Sequence, residues 1–288
     1  MLIDTHCHLH DREFFSEEQA EEMLKRARKK GIEKIICIGT SPEDSVAARD
    51  FANKHDNVYW TYGIHPEGAT EGIESVLSSA GLEFLSTSYT GTPREPSPKG
   101  DEPLGSGRNI RVKNSNQTFM LQKEPIRSPI AIGEVGLDYH YDGYDREAQI
   151  KLFEEMLQLA KDNNLPVSFH VREAFDDFFA VIANFPEIRG VVHSFSDNKK
   201  NLKRILDKTD FYVGVNGMAT YSTLPTPPLE RILLETDAPF LTPVPFRGKI
   251  NESGYIYEIA EWLSNKLAID FDRVERETTK NARELFKF

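Results

Sequence analysis

Short apolar runs alternate along the chain with segments of helical periodicity, and this alternation limits the possible folds more than any other feature. The runs are rich in Val and Ile and apolar throughout, which is typical of strands that are buried on both faces. Eight strands that are each followed by a helical segment predict an α/β protein with a (β/α)₈ barrel, in preference to an open doubly wound sheet. The eight runs are Leu2–Thr5, Lys34–Gly39, Val58–Ile64, Ile130–Val135, Val167–His170, Val191–His193, Phe211–Val215 and Ile232–Glu235.

Several of the intervening segments carry recognisable helix starts. Ser16 can act as an N-cap, with Gln19 at the position that completes a capping box. Ser41, followed by a proline and two acids, starts a second helix, and Asp145 starts a third. The last two helices are expected at about 253–268 and 272–286.

The chain has 288 residues, more than the roughly 250 of an ordinary barrel. Between about Gly81 and Pro129 the composition shifts to Ser, Thr, Gly, Pro and charged residues. We interpret this stretch as an insertion between the third helix and the fourth strand of a single barrel domain spanning residues 1–288. Two alternating stretches inside it, 109–113 and 118–122, predict a β-hairpin. Three roles stay open for the insertion: a structural element, a contact with an unknown protein partner or a neighbouring subunit, and a cover over the barrel mouth.

Charge and cysteine content exclude several classes of protein. The 35 basic and 46 acidic residues give a net charge of −11, which argues against non-specific coating of nucleic acid or anionic membranes. No uncharged apolar run approaches about 18 residues, so neither a transmembrane helix nor a membrane partner is expected. Two cysteines cannot form a disulfide framework, and the first residues do not resemble a signal peptide, so a reducing, cytoplasmic location is predicted.

Ionisable side chains occur at the C-terminal ends of the predicted strands, where barrel enzymes build their active sites. After the first strand, His6 and His8 share one face of the extended chain, while Cys7 points to the other. An imidazole or carboxylate is costly to hold unpaired in such a position. Strands four, five, six and eight end, respectively, in Glu134, His170, His193 and Asp237.

Four imidazoles and two carboxylates that converge on one barrel mouth predict a metal site. Six ligands exceed one tetrahedral site with an open position, so two metal ions that share Glu134 are the economical arrangement. Such ligands suit Mg, Mn, Zn or Fe, and the sequence does not distinguish among these metals.

Eight short motifs occur in the order in which one family of enzymes carries them. They lie at residues 6–8, 63–66, 132–139, 165–172, 192–196, 235–241, 245–252 and 281–286. In these motifs the chain resembles the TatD-related DNases, over essentially its whole length apart from the insertion. The resemblance implies a TIM-barrel metal-dependent hydrolase of the amidohydrolase superfamily, with deoxyribonuclease activity as the best-known function.

The resemblance also implies individual roles for the matched residues. One metal ion would be held by His6, His8, Glu134 and Asp237, and a second by Glu134, His170 and His193. Substrate contacts would come from His65, Arg172, Arg247, Lys249 and Asn251. The alternatives are a structural role for His65 and solvated surface charge for the last three. Glu67 and Asp197 depart from the family pattern, which usually has His and Gly at these positions.

We therefore predict a deoxyribonuclease that acts on single-stranded DNA or 3′ ends, as a 3′–5′ exonuclease with a water activated by two metal ions. Asp237 would be the general base, and Glu134 would complete the catalytic centre. Two alternatives stay open. The same site could hydrolyse an ester or amide, as an aminoacyl-tRNA deacylase does, or the barrel could bind a partner without catalysis.

Overall fold

Eight parallel strands form the centre of the protein in the computed structural model, which describes residues 1–70 and 127–288. Each strand pairs with the next in chain order, so the predicted (β/α)₈ barrel is confirmed. The strands are β1 (Leu2–Cys7), β2 (Ile32–Cys37), β3 (Val58–Tyr62), β4 (Ala131–Asp138), β5 (Val167–Arg172), β6 (Gly190–Val192), β7 (Tyr212–Val215) and β8 (Ile232–Leu234).

Hydrogen bonds between β1 and the segment after β8 close the barrel. The Asp237 amide donates to the His6 carbonyl at 2.8 Å, and the His8 amide donates to the Ala238 carbonyl at 2.7 Å. Because these bonds join the start of the sequence to its last quarter, they place Asp237 beside His6 of β1 and His8, which follows β1.

The described segments contain seven α-helices, which surround the barrel. The predicted capping box is present, since Ser16 and Gln19 each accept a hydrogen bond from the other's backbone amide. Ser41 and Asp145 cap their helices as predicted. None of the described helices is both long and apolar enough to cross a bilayer. The helices are α1 (Glu17–Lys29), α2 (Pro42–Ala52), α3 (Arg146–Asp162), α4 (Phe175–Ile182), α5 (Lys199–Lys208), α6 (Ile256–Leu267) and α7 (Phe271–Phe286).

An aromatic core holds β5 against its neighbouring helices. The ring of Phe169 on β5 lies 4.8 to 6.0 Å from the rings of Phe153, Phe178 and Phe211, measured between centroids. All four side chains are buried. Removal of this apolar surface from water stabilises the position of β5, and therefore of the ionisable side chains that β5 carries.

The predicted strand ends need correction. β2 and β3 end two residues earlier than predicted, β6 and β8 end one residue earlier, and β1, β4 and β5 extend further. β1 includes His6, β4 continues four residues beyond Glu134, and β5 continues two residues beyond His170. The extension of β4 depends on Gly136, where a Cβ atom would lie 1.9 Å from the His170 carbonyl oxygen. Glycine thus allows the two backbones to approach and to keep pairing as far as Asp138.

The predicted insertion lies outside the described residues, apart from residues 127–129 at its end. Its hairpin, its contact with a partner or neighbouring subunit, and the single-domain organisation of residues 1–288 therefore stay predictions.

Candidate metal centre

Five of the six predicted ligands form a cluster whose nitrogen and oxygen atoms face one another at the C-terminal end of the barrel. His6 Nε2 lies 3.4 Å from Glu134 Oε2 and 3.6 Å from Asp237 Oδ1. His8 Nε2 is also 3.6 Å from Asp237 Oδ1. His193 Nε2 lies 3.7 Å from Glu134 Oε1 and 4.0 Å from Asp237 Oδ1. The barrel therefore brings together ligands from β1, β4 and the segments after β1, β6 and β8.

These distances fit a bound metal ion better than a hydrogen-bond network. Ligand atoms that surround an ion tetrahedrally at metal–ligand bond lengths are about 3.3 to 3.6 Å apart, whereas most hydrogen bonds measure roughly 2.7 to 3.2 Å. His6 Nε2 is buried and has no hydrogen-bond partner within the described part of the chain. A buried polar nitrogen of this kind costs free energy unless something binds it. The residues present therefore fit a divalent metal ion.

Both carboxylates of the cluster are held in the ionised form that binds a cation. Burial raises the pKa of Glu134, but the charge of His193, the hydrogen bond from His170 and the nearby imidazole of His6 hold this pKa well below its usual range. Burial also raises the pKa of Asp237, and the neighbouring imidazoles again lower it below its usual range. Both groups therefore carry a negative charge at neutral pH.

The sixth predicted ligand, His170, contacts a carboxylate through each ring nitrogen. Its Nδ1 lies 2.7 Å from Glu134 Oε1, and its Nε2 lies 2.8 Å from Asp138 Oδ2. Burial lowers the pKa of His170, but the hydrogen bonds to Asp138 and Glu134 raise it to about 9. As an imidazolium, His170 would have to release one proton before it could bind a metal ion. Asp138 orients the ring so that Nδ1 faces Glu134, as carboxylates behind metal-binding histidines do.

A second carboxylate behind a histidine is Glu235, which orients His193. Glu235 Oε1 accepts a hydrogen bond from the Ser194 amide at 2.7 Å and forms an ion pair with His193 Nδ1 at 3.1 Å. Gly214 on β7 leaves space for this carboxylate, because a Cβ atom there would lie 2.5 Å from Glu235 Oε2. The contact turns His193 Nε2 towards Glu134.

The sequence alone indicates no role for Asp138 or Glu235. Their only sequence signal is that each lies in a motif with a predicted ligand, Asp138 four residues after Glu134 and Glu235 two residues before Asp237. Such spacing does not show which histidine each carboxylate contacts.

Replacing Glu235 with Gln is expected to weaken metal binding by about 10- to 100-fold, the usual effect of losing an orienting carboxylate. Gln preserves the size of the side chain but removes the charge opposite His193. Isothermal titration calorimetry of the metal-free protein with Mn²⁺ measures the dissociation constant, and circular dichroism reports on the fold. Glu230→Gln, at an exposed carboxylate five residues earlier, is the matched control. Equal affinities of the two variants would contradict the role of Glu235.

A cavity of about 820 Å³ opens above the cluster, and two predicted substrate contacts line it. The guanidinium of Arg172 lies 5.2 Å from the centre of the Tyr141 ring and donates to its hydroxyl at 3.3 Å. His65 Nε2 lies 3.3 Å from His170 Nδ1. Arg172 and His65 are therefore placed where a substrate that reaches the cluster would meet them.

The two other predicted cationic contacts lie on the exposed surface of the loop after β8. Arg247 stacks on Tyr221, with its guanidinium carbon 3.9 Å from the ring centre. Lys249 Nζ lies 5.2 Å from the centre of the Phe246 ring. Both side chains are exposed to solvent.

Asn251, the remaining predicted substrate contact, is completely buried. Its Nδ2 donates to the Thr236 carbonyl at 2.7 Å and to the Phe240 carbonyl at 2.6 Å. These bonds lie on either side of Asp237 in the sequence. Asn251 thus supports the loop that carries this carboxylate.

Comparison with known proteins agrees with this architecture. A family model described as TatD related DNase matches residues 3–287. The uncharacterized metal-dependent hydrolase YabD of Bacillus subtilis is 29% identical, over 100% of this chain and 99% of its own. The 3′-5′ ssDNA/RNA exonuclease TatD of Pantoea ananatis is 28% identical, over 99% of each chain. Among solved structures, the TatD homologue YJJV of Escherichia coli gives a TM-score of 0.77 at 25% identity, covering 100% of this chain and 98% of its own.

Proposed function

Because the chain belongs to the TatD-related DNase family of metal-dependent hydrolases, we propose that it hydrolyses phosphodiester bonds at the 3′ ends of single-stranded DNA. The position of Arg172 in the same cavity as the ligand cluster carries this proposal. A guanidinium binds two oxygens of a phosphate at once, a contact for which a carboxylic ester has no counterpart. The polarity and the preference for single strands rest on the likeness to the exonuclease of Pantoea ananatis.

Two divalent metal ions are part of the proposal, with Mg, Mn and Zn as the candidates. His6, His8, Glu134 and Asp237 would hold one ion, and Glu134, His170 and His193 would hold the other. Glu134 is the ligand that the two ions would share, because its carboxylate reaches His6, His170 and His193. When bound, such ions lower the pKa of the attacking water and neutralise charge on the scissile phosphate.

The protein's own groups supply the positioning and the proton transfer. Arg172 binds the non-bridging phosphate oxygens and fixes the substrate in the cavity. Asp237 accepts the proton of the attacking water, since its ionised side chain lies in the cluster and is 13% exposed at the cavity wall. Positioning and proton transfer thus come from different strands of the barrel.

The proposal is tested with single-stranded oligonucleotides labelled at the 5′ end or at the 3′ end. Mg²⁺, Mn²⁺ and Zn²⁺ are compared, with EDTA as the metal-free control. We expect 5′-labelled DNA to shorten stepwise in the presence of metal and to remain intact in EDTA. Hydrolysis of an aminoacyl ester, with no cleavage of DNA by any metal-loaded form, would reassign the site to acyl substrates.

A further inference from the structure

An exposed aromatic pair lies at the rim of the cavity, beside the metal ligand His8. Phe14 and Phe240 are 44% and 46% exposed, and their rings meet edge to face with centroids 5.2 Å apart. The ring of Phe240 lies 6.4 Å from that of His8 and lines the cavity. The pair therefore presents apolar ring surface to whatever binds at the ligand cluster.

The backbone holds Phe240 firmly although its ring is exposed. The Phe240 amide donates to the Asp237 carbonyl at 2.8 Å, and the buried Asn251 donates to the Phe240 carbonyl at 2.6 Å. The ring of Phe14 packs against that of Phe240 nearly at a right angle, with an interplanar angle of 81°. A ring fixed in this way loses little conformational entropy when a ligand stacks on it.

The cavity also contains a second exposed aromatic ring, but a cation already covers it. Tyr141 is 54% exposed, and the guanidinium of Arg172 lies over its ring. Tyr141 follows β4 and Phe240 follows β8, so the two rings approach the ligand cluster from the ends of different strands. Of these two rings, Phe240 has no cation stacked on it among the described residues, whereas Tyr141 has Arg172.

We propose that Phe240, supported by Phe14, is a stacking platform for the nucleobase next to the scissile phosphate. This inference rests on the proposed function, since it requires a nucleic-acid substrate. Every base has a flat π-face, so an aromatic platform binds bases with little regard to their identity. In a duplex each base is already paired and stacked, so the platform would favour a strand with unpaired bases.

The test combines a change in the protein with a change in the substrate. Phe240→Ala is assayed with the metal-loaded enzyme on a single-stranded oligonucleotide, and on oligonucleotides that lack one base at the terminal or the penultimate position. We expect Phe240→Ala to lower kcat/KM for the intact strand by about 5- to 100-fold, the usual range for loss of one base–aromatic contact. At one of the two positions, removal of the base should lower kcat/KM of the wild type by a similar factor. The same removal should lower kcat/KM of Phe240→Ala little further.

Two further variants separate stacking from support of the loop. Phe240→Tyr keeps the aromatic surface and should keep kcat/KM within about threefold of the wild type. Tyr257→Ala removes an exposed aromatic ring that packs on Phe271, and should leave kcat/KM unchanged. Bound metal is measured in every variant, so that damage to the Asp237 loop is recognised.

If base removal and Phe240→Ala lower kcat/KM additively at both positions, the platform is overturned and the nuclease assignment stays intact. An equal loss in Phe240→Ala on an oligonucleotide that lacks the bases at both positions would overturn it as well. Failure of the wild type to cleave any oligonucleotide would instead overturn the proposed function, and the platform with it.

Discussion

Asp237→Asn is expected to lower kcat for DNA cleavage by about 10²- to 10⁴-fold, the usual contribution of a general base. Asn has nearly the same shape and keeps one carbonyl oxygen for a metal ion, but it cannot accept the proton of the attacking water. The backbone also tolerates this change. Asp237 has a φ of 57°, in the left-handed region that Asn and Asp adopt more readily than most residues. The loss should therefore appear in kcat more than in stability.

The measurement is kcat at saturating substrate and metal, together with the metal content of the purified variant. Asp11→Asn provides a matched control, since Asp11 lines the same cavity and is not one of the predicted ligands. Asp237→Ala is a useful comparison, because it also removes the ligand oxygen. If Asp237→Asn retains its metal and a kcat within a few-fold of the wild type, another group accepts the proton.

The barrel could be predicted from the sequence because its strands are buried on both faces. Burial makes each strand a continuous apolar run, so the few ionisable residues within or after these runs stand out. His6, Glu134 and His193 are of this kind, and the structure places them around one point. Asp237 is predicted in the cluster for the same reason, and closure of the barrel brings it beside β1.

The strand ends and the supporting carboxylates could not be predicted in this way. A polar residue ends an apolar run, but it does not end a strand whose neighbour continues to pair with it, as β4 shows beyond Glu134. Asp138 and Glu235 act through contacts with His170 and His193 across neighbouring strands. Such contacts depend on register and on the space left by a glycine, which no local pattern records.

Asn251 shows the same limit in a loop. Its motif indicated a substrate contact by resemblance, whereas the structure buries its amide against two backbone carbonyls. Asn is suited both to contacting a ligand and to satisfying buried backbone groups, because its amide can donate and accept hydrogen bonds. Only the path of the loop distinguishes between them.

Glu134→Gln is expected to have the largest effect on metal binding, because this one carboxylate reaches both predicted ligand sets. Its Oε2 lies 3.4 Å from His6 Nε2, and its Oε1 lies 2.7 Å from His170 Nδ1 and 3.7 Å from His193 Nε2. Gln removes the negative charge and replaces one oxygen with an NH₂ group that cannot bind a cation. We expect bound metal to fall from two ions per chain to one or fewer. Loss of several kcal/mol of charge stabilisation should lower kcat/KM by about a thousandfold or more.

Equilibrium dialysis with elemental analysis measures the bound metal in this variant, and Glu67→Gln is the control at a carboxylate that lines the same cavity but is 62% exposed. The fold should survive. Removing one partner of a buried ion pair costs about 3–5 kcal/mol when the other charge cannot be relieved, but the imidazoles around Glu134 can release their protons and become neutral. Thermal unfolding of the metal-free protein should therefore change less than that of the metal-loaded protein. If Glu134→Gln still binds two ions with wild-type affinity, Glu134 is not the shared ligand.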